Sequence, residues 1–159
     1  AGGAATAICI QAALDGVKEI SIFNKRDKFY EKAQETVKII NEKTTCIANL
    51  FDIDDKDKLK AEINESAIFI NATGIGMKPY EGQTFIEKDM LRPELIVSDI
   101  IYEPEKTKLL EIAEEVGCPT INGIGMMIFQ GAESFKCWTG KDMNIENIKN
   151  IINKKANDK

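Results

Sequence analysis

Among 159 residues there is no histidine, which removes the commonest general base and the commonest metal ligand. Cysteine is sparse. Cys9, Cys46, Cys118 and Cys137 lie far apart with no C-x-x-C pair, so a zinc cluster or thioredoxin-type site is unsupported and no metal is expected. Thiols spaced like this read as reduced and mostly buried, in a cytoplasmic protein. No apolar run approaches the ~18 residues of a membrane span and no signal peptide opens the chain, so no membrane partner is expected. Cations are outnumbered, 21 Lys and Arg against 26 Asp and Glu, for a net charge of −5. Without a broad basic face the chain is a poor match for nucleic acid.

What remains is an ordinary globular composition, 43% hydrophobic and 30% charged, too apolar for a disordered chain and about one domain in length. The first residues, Ala1-Gly2-Gly3-Ala4, read as the middle of a loop, and without an initiating methionine the chain reads as a fragment of a longer protein. Periodicity alternates between helix and strand. Helices are predicted over 4–14, 28–42, 55–64, 107–116, 125–140 and 144–155, with Asp27 placed to cap the second and Gly117 to stop the fourth. Strands are predicted over 18–24, 45–51, 67–71, 95–101 and 119–122, with a loop between the third and fourth. The Lys/Asn-rich tail after Asn153 is expected to fray. The order predicts an α/β fold with crossover helices and a mainly parallel sheet, a Rossmann-like three-layer domain spanning 1–159 and lacking its first strand.

Two stretches carry chemistry. Ala1, Gly2, Gly3 and Ala4 open a helix with small residues, a combination that lets backbone N–H groups and a positive helix end approach a pyrophosphate. About 20 residues on, where a dinucleotide-binding unit places its ribose-gripping acid, the second stretch reads Asn24-Lys25-Arg26-Asp27. Asp27 can accept hydrogen bonds from a ribose diol, as NAD requires, or serve only as a helix cap. Lys25 and Arg26 can hold a 2′-phosphate, as NADP requires, or remain solvated. Asn71 to Gly76, with Thr73, follows a strand at the position where open α/β sheets bind ligands. The acidic run Asp52, Asp54, Asp55 and Asp57 reads as solvated, Met126 and Met127 as core filler, and Phe135 and Trp138 as packing anchors.

In order along the chain come Gly2-Gly3-Ala4, Asn24-Lys25-Arg26, Asn71-Ala72-Thr73, Gly76-Met77, Asp99 to Tyr102 with Pro104, and Thr107-Lys108-Leu109-Leu110. Then follow Asn122-Gly123-Ile124-Gly125-Met126, Gln130-Gly131-Ala132 and Phe135 through Gly140. This ordered set resembles the nucleotide-binding half of shikimate dehydrogenases, and Asn-Lys-Arg-Asp and Gly-Met-Lys-Pro are most similar to the quinate/shikimate branch. The resemblance implies NAD or NADP as cofactor and reversible hydride transfer between a nicotinamide and the C3 carbonyl of 3-dehydroshikimate, a step of aromatic amino-acid biosynthesis. It places Ala1 to Ala4 under the pyrophosphate and Asn24 to Asp27 at the adenosine ribose. Lys78, Thr73, Ile100 and Gly123 fall along the cofactor, and Tyr102 and Gln130 toward the shikimate or quinate substrate. The family's Lys/Asp acid–base pair belongs to an N-terminal substrate domain, so no catalytic residue is expected here and this chain alone should not turn over. A positioned proton-transfer group is worth about 10²–10⁴ in rate. A homodimer is a candidate assembly. The competing readings are a non-catalytic nucleotide-binding module and another Rossmann dehydrogenase, such as a glutamyl-tRNA reductase-like enzyme.

Overall fold

The computed structural model describes the backbone of residues 1–157 and the side chains of residues 1–152; after Asn153, where the tail is expected to fray, the backbone is helical to Asn157, and residues 158–159 lie outside the description. The predicted alternation is present: α1 (Gly3–Leu14), β1 (Glu19–Asn24), α2 (Tyr30–Lys43), β2 (Ile47–Asp52), α3 (Lys56–Glu65) and β3 (Ile68–Asn71). After these come β4 (Ile75–Glu81), a 3₁₀ turn (Lys88–Met90), β5 (Ile96–Asp99), α4 (Lys108–Val116), β6 (Thr120–Ile121), α5 (Ile124–Thr139) and α6 (Ile145–Asn157). Local chemistry explains several ends. Asp55 accepts the Lys58 amide at 3.0 Å to start α3, and the Thr107 hydroxyl receives the Leu110 amide at the start of α4; both satisfy donors that a helix leaves open. Asp27 is not the N-cap of α2. Its carboxylate accepts the Phe29 amide at 2.8 Å, a tight local turn that lets two further residues pass before the helix begins at Tyr30.

All the strand pairing is parallel, but it divides into a two-stranded sheet, β1–β2, and a three-stranded sheet ordered β3–β5–β6. The stretch 75–81, expected as loop, is extended as β4 and belongs to neither sheet. Among the described residues, β1 and β3 each keep one edge without a partner strand.

Side-chain alternation along β1 establishes the layers, because successive residues face opposite sides of a sheet. Ile20 packs with Ala13, Ile40 and Ala48 beneath α1 and α2. Its neighbours in the alternation turn the other way: Phe23 joins the cluster of Leu59, Ile63, Val97 and Leu109 under α3 and α4, and the Ser21 hydroxyl donates to Glu62 of α3. One strand therefore carries helices on both faces. On the three-stranded sheet, Val97 is fully buried toward α3 and α4, while Ile68 and Ile121 on the opposite face are more than half exposed.

The expectation of Phe135 and Trp138 as packing anchors is overturned: Trp138 is 84% exposed and Phe135 36%. Helix α5 packs on α6, where Lys149 lies over the Phe129 ring, and Trp138 is left in solvent. Met126 and Met127 are half-buried, and Cys137 is exposed whereas Cys46 and Cys118 are buried.

Glu62 ties the layers together. Lys58 at 2.5 Å and the Ser21 hydroxyl both donate to it, and these bonds hold its carboxyl below the usual carboxylate range. A lowered folded value contributes stability that is present above the unfolded pKa, near 4.3, and is lost as pH falls through the folded value. Glu62→Gln is expected to flatten the acid limb of a stability–pH curve measured by denaturant titration, with little change in slope near neutrality.

Candidate cofactor site at the strand ends

Parallel strands deliver all their carboxyl ends to one side, where ligands of open α/β folds bind. In register, Asn24 sits opposite Asp52 and Asn71 opposite Asp99. These four residues mark the floor of the site.

At the β1 end, the Ala1 nitrogen lies 2.6 Å from Asn24 Oδ1 and 3.3 Å from the Phe29 carbonyl oxygen. That places the start of α1 against the β1–α2 turn, so Ala1, Gly2, Gly3 and Ala4 are brought together with Asn24 to Asp27. Helix α1 has no side-chain cap and no acidic residue in its first turn. Its amides before Thr6 have no acceptor within the helix, and a Cβ at Gly2 or Gly3 would meet nothing within 4 Å. Open space, bare donors and a positive helix end suit a pyrophosphate.

Arg26 is engaged twice. Its Nε donates to Asp52 Oδ2 at 2.8 Å, and its guanidinium lies 5.5 Å from the centre of the Tyr30 ring. Asp52 in turn accepts the Asp54 amide at 3.1 Å. That backbone bond, with Arg26 beside it, holds the Asp52 carboxyl below its ordinary range. The acidic run is thus not simply solvated: Asp52 pairs, and Asp55 caps α3. Lys25 and Asp27 are exposed beside them.

Between β3 and β5 lies a buried polar network. Asp99 is inaccessible to solvent and Asn71 and Thr107 nearly so. Asp99 accepts from Asn71 Nδ2 at 3.1 Å, from the Ile101 amide at 3.0 Å and from the Thr107 hydroxyl at 2.7 Å. Asn71 Oδ1 accepts the Thr73 hydroxyl at 2.7 Å, and its Nδ2 also donates to the Ile75 carbonyl. Gly76 closes over this network at φ +115°, where a Cβ would stand 3.1 Å from Ile101 Cδ1. Every buried side-chain polar atom among the described residues has a partner. The sequence marked Asn71, Asp99 and Thr107 as parts of motifs without showing that they form one unit; a shared strand register is what joins them.

The network also sets Ile100 and Gly123. The Ile100 amide donates to the Asn71 carbonyl at 3.1 Å, and the Gly123 amide to the Ile101 carbonyl at 3.0 Å. A Cβ at Gly123 would fall 2.0 Å from the Ile100 carbonyl oxygen, so only glycine lets α5 begin there. Thr73, Ile100 and Gly123 are therefore brought together. Tyr102 (49% exposed), Lys78 and Gln130 stand out in solvent, and among the described residues no side-chain hydrogen bond joins them to the network. An open cleft of about 630 Å³ beside α4 and β6 is lined by Glu105, Lys106, Thr120, Ile121 and Asn122 among others, and it includes none of the residues assigned to the cofactor or substrate.

A family model described as the Shikimate 5′-dehydrogenase C-terminal domain matches residues 123–152. A curated shikimate dehydrogenase (NADP(+)) of Listeria monocytogenes is 65% identical over 153 residues, 96% of this chain and 53% of the relative. The chain belongs to the shikimate/quinate dehydrogenase family. A shikimate dehydrogenase (NADP(+)) of Streptococcus uberis is 48% identical over 154 residues, with 96% and 52% covered. Among solved structures, the shikimate 5-dehydrogenase of Listeria monocytogenes in complex with shikimate and NAD superposes with a TM-score of 0.91 at 65% identity, covering 96% of this chain and 53% of that one. The quinate dehydrogenase of Corynebacterium glutamicum in complex with NAD gives 0.79 at 26% identity, with 92% and 50% covered. The chain spans about half the length of the dehydrogenases it matches, and the ordered motifs of the sequence agree with that membership.

Gly123→Ala is expected to destabilise this shikimate/quinate dehydrogenase-family chain by about 1–3 kcal/mol, because backbone rather than a flexible side chain must move. Asp99→Ala should cost about 3 kcal/mol or more by stranding the Asn71, Ile101 and Thr107 donors. Both follow from midpoints of chemical denaturation.

Proposed function

We propose that residues 1–159 form the NAD(P)-binding domain of a cytoplasmic shikimate or quinate/shikimate dehydrogenase. The observation that carries the reading is the junction at the β1 end, where Ala1, leading into the uncapped start of α1, lies against Asn24 and the charged turn that follows it. The solved Listeria relative, described as a complex with shikimate and NAD, supports it. The four free thiols are consistent with a reducing compartment.

In this reading the α1 amides and Gly2-Gly3 hold the pyrophosphate, and Asn24, Lys25, Arg26 and Asp27 hold the adenosine ribose. Thr73, Lys78, Ile100 and Gly123 line the way to the nicotinamide. The nicotinamide, when bound, supplies or accepts a hydride. The chain's own contribution is position. The Asn71–Asp99–Thr107 network holds the β3 and β5 ends rigid, so the Ile100 backbone is fixed to within the tolerance that reaction geometry demands. Tyr102 and Gln130, exposed on either side of the Gly123 turn, face the substrate. The acid–base pair lies in the substrate domain that completes the enzyme, and that domain covers the exposed aromatics of α5 and the open isoleucines of β3. The chain by itself then binds coenzyme without turning over substrate.

The test uses the protein carrying this chain at the length of its relatives. Shikimate or quinate with NAD or NADP is expected to give reduced nicotinamide absorbance, and oxidation of neither substrate with either coenzyme would overturn the assignment. Asp27→Ala is expected to weaken NAD binding more than NADP binding, measured by titration calorimetry; an equal loss for both removes Asp27 from the ribose.

A further inference from the structure

We propose that Asp52 is a specificity-determining residue of the adenosine corner, favouring a coenzyme with a free 2′-hydroxyl over one bearing a 2′-phosphate. The inference rests on the reading of Asn24–Asp27 as the ribose site and adds a residue from a different strand. Asp52 ends β2 directly in register with Asn24, so its carboxylate stands beside the turn that receives the ribose. Its partner there is Arg26, the side chain whose planar fork best matches a phosphate. Arg26 already gives its Nε to Asp52 Oδ2 at 2.8 Å and lies over Tyr30. The other oxygen, Asp52 Oδ1, is held from behind by the Asp54 amide, so the carboxylate keeps its place whether or not Arg26 leaves.

The two ligands meet this arrangement differently. A 2′-phosphate carries about −1.5 to −2 charges and must share the guanidinium with an anchored carboxylate of like sign. A 2′-hydroxyl is neutral and can donate to that carboxylate. Asp27 and Asp54, both exposed at the same corner, add to the negative field, whereas Lys25 and Lys28 offset it. Selectivity is a difference of two affinities, and a fixed repulsive charge acts on only one of them.

The experiment measures dissociation constants of NAD and NADP for the protein at its relatives' length, as wild type, Asp52→Asn and Asp54→Asn. Asparagine retains the acceptor for the Asp54 amide and the size of the side chain. Asp52→Asn is expected to tighten NADP about tenfold relative to NAD, the scale of one carboxylate–phosphate contact in water, and Asp54→Asn to move the ratio less than about twofold. A ratio that stays put or falls in Asp52→Asn, or an equal shift in Asp54→Asn, overturns the inference while leaving the ribose site standing. A wild type that binds neither coenzyme overturns the site reading and this inference with it.

Discussion

The Asp99 carboxylate lies wholly inside the protein, and the donors around it are uncharged: an amide side chain, a backbone N–H and a hydroxyl. Burying a charge is costly unless its lone pairs are filled, so each donor must be where it is. That requirement locks the end of β3 to the end of β5 through Asn71, and the start of α4 to both through Thr107. It dictates the turn at Gly76, since the chain must pass close over the network. It also fixes the course of residues 100 and 101, against whose carbonyls α5 can begin only at a glycine. Remove the carboxylate and four elements lose their common reference.

Much of this architecture was legible from local pattern. Helix and strand alternation and Gly117 after α4 depend on neighbours within a few residues, which a sequence displays directly, whereas Asp55 and Thr107, read as the first residues of their helices, are the caps that precede them. The family was legible as well, because its motifs occur as an ordered set. The misreadings have another origin. Phe135 and Trp138 share a helical face, and spacing shows that a face is apolar without showing what covers it. Asp27 has the right chemistry for a cap, yet the chain turns on it three residues before α2 begins. Arg26 and Asp52 are 26 positions apart, and only strand register puts them in contact. The same holds for Asn71 and Asp99.

The two sheets make a related point about layers. β1 contacts helices on both faces, Ile20 toward α1 and α2 and Phe23 toward α3 and α4, so it behaves as an interior strand although one of its edges has no partner among the described residues. β3 shows the same combination of a buried face and an unpaired edge. Unpaired edges and exposed isoleucines are ordinarily liabilities. In a family whose members are about twice this length, such surfaces are the places where the remaining sequence has most to gain by packing.

Rigid and variable chemistry are separated across the floor of the site. At the β3 and β5 ends, the polar groups are buried, mutually satisfied and bound to the backbone, so a single change there disturbs the fold first. At the β1 and β2 ends, Lys25, Arg26, Asp27 and Asp54 are exposed, and their interactions with one another are weak and screened. Substitutions at that corner can change which anion is accepted without touching the β3–β5 network, because no hydrogen bond of the network reaches β1 or β2. In the proposed site, coenzyme selection and positioning of the nicotinamide are therefore independent, because the charges proposed to select fall on the β1–β2 pair and the buried network on the β3–β5 pair.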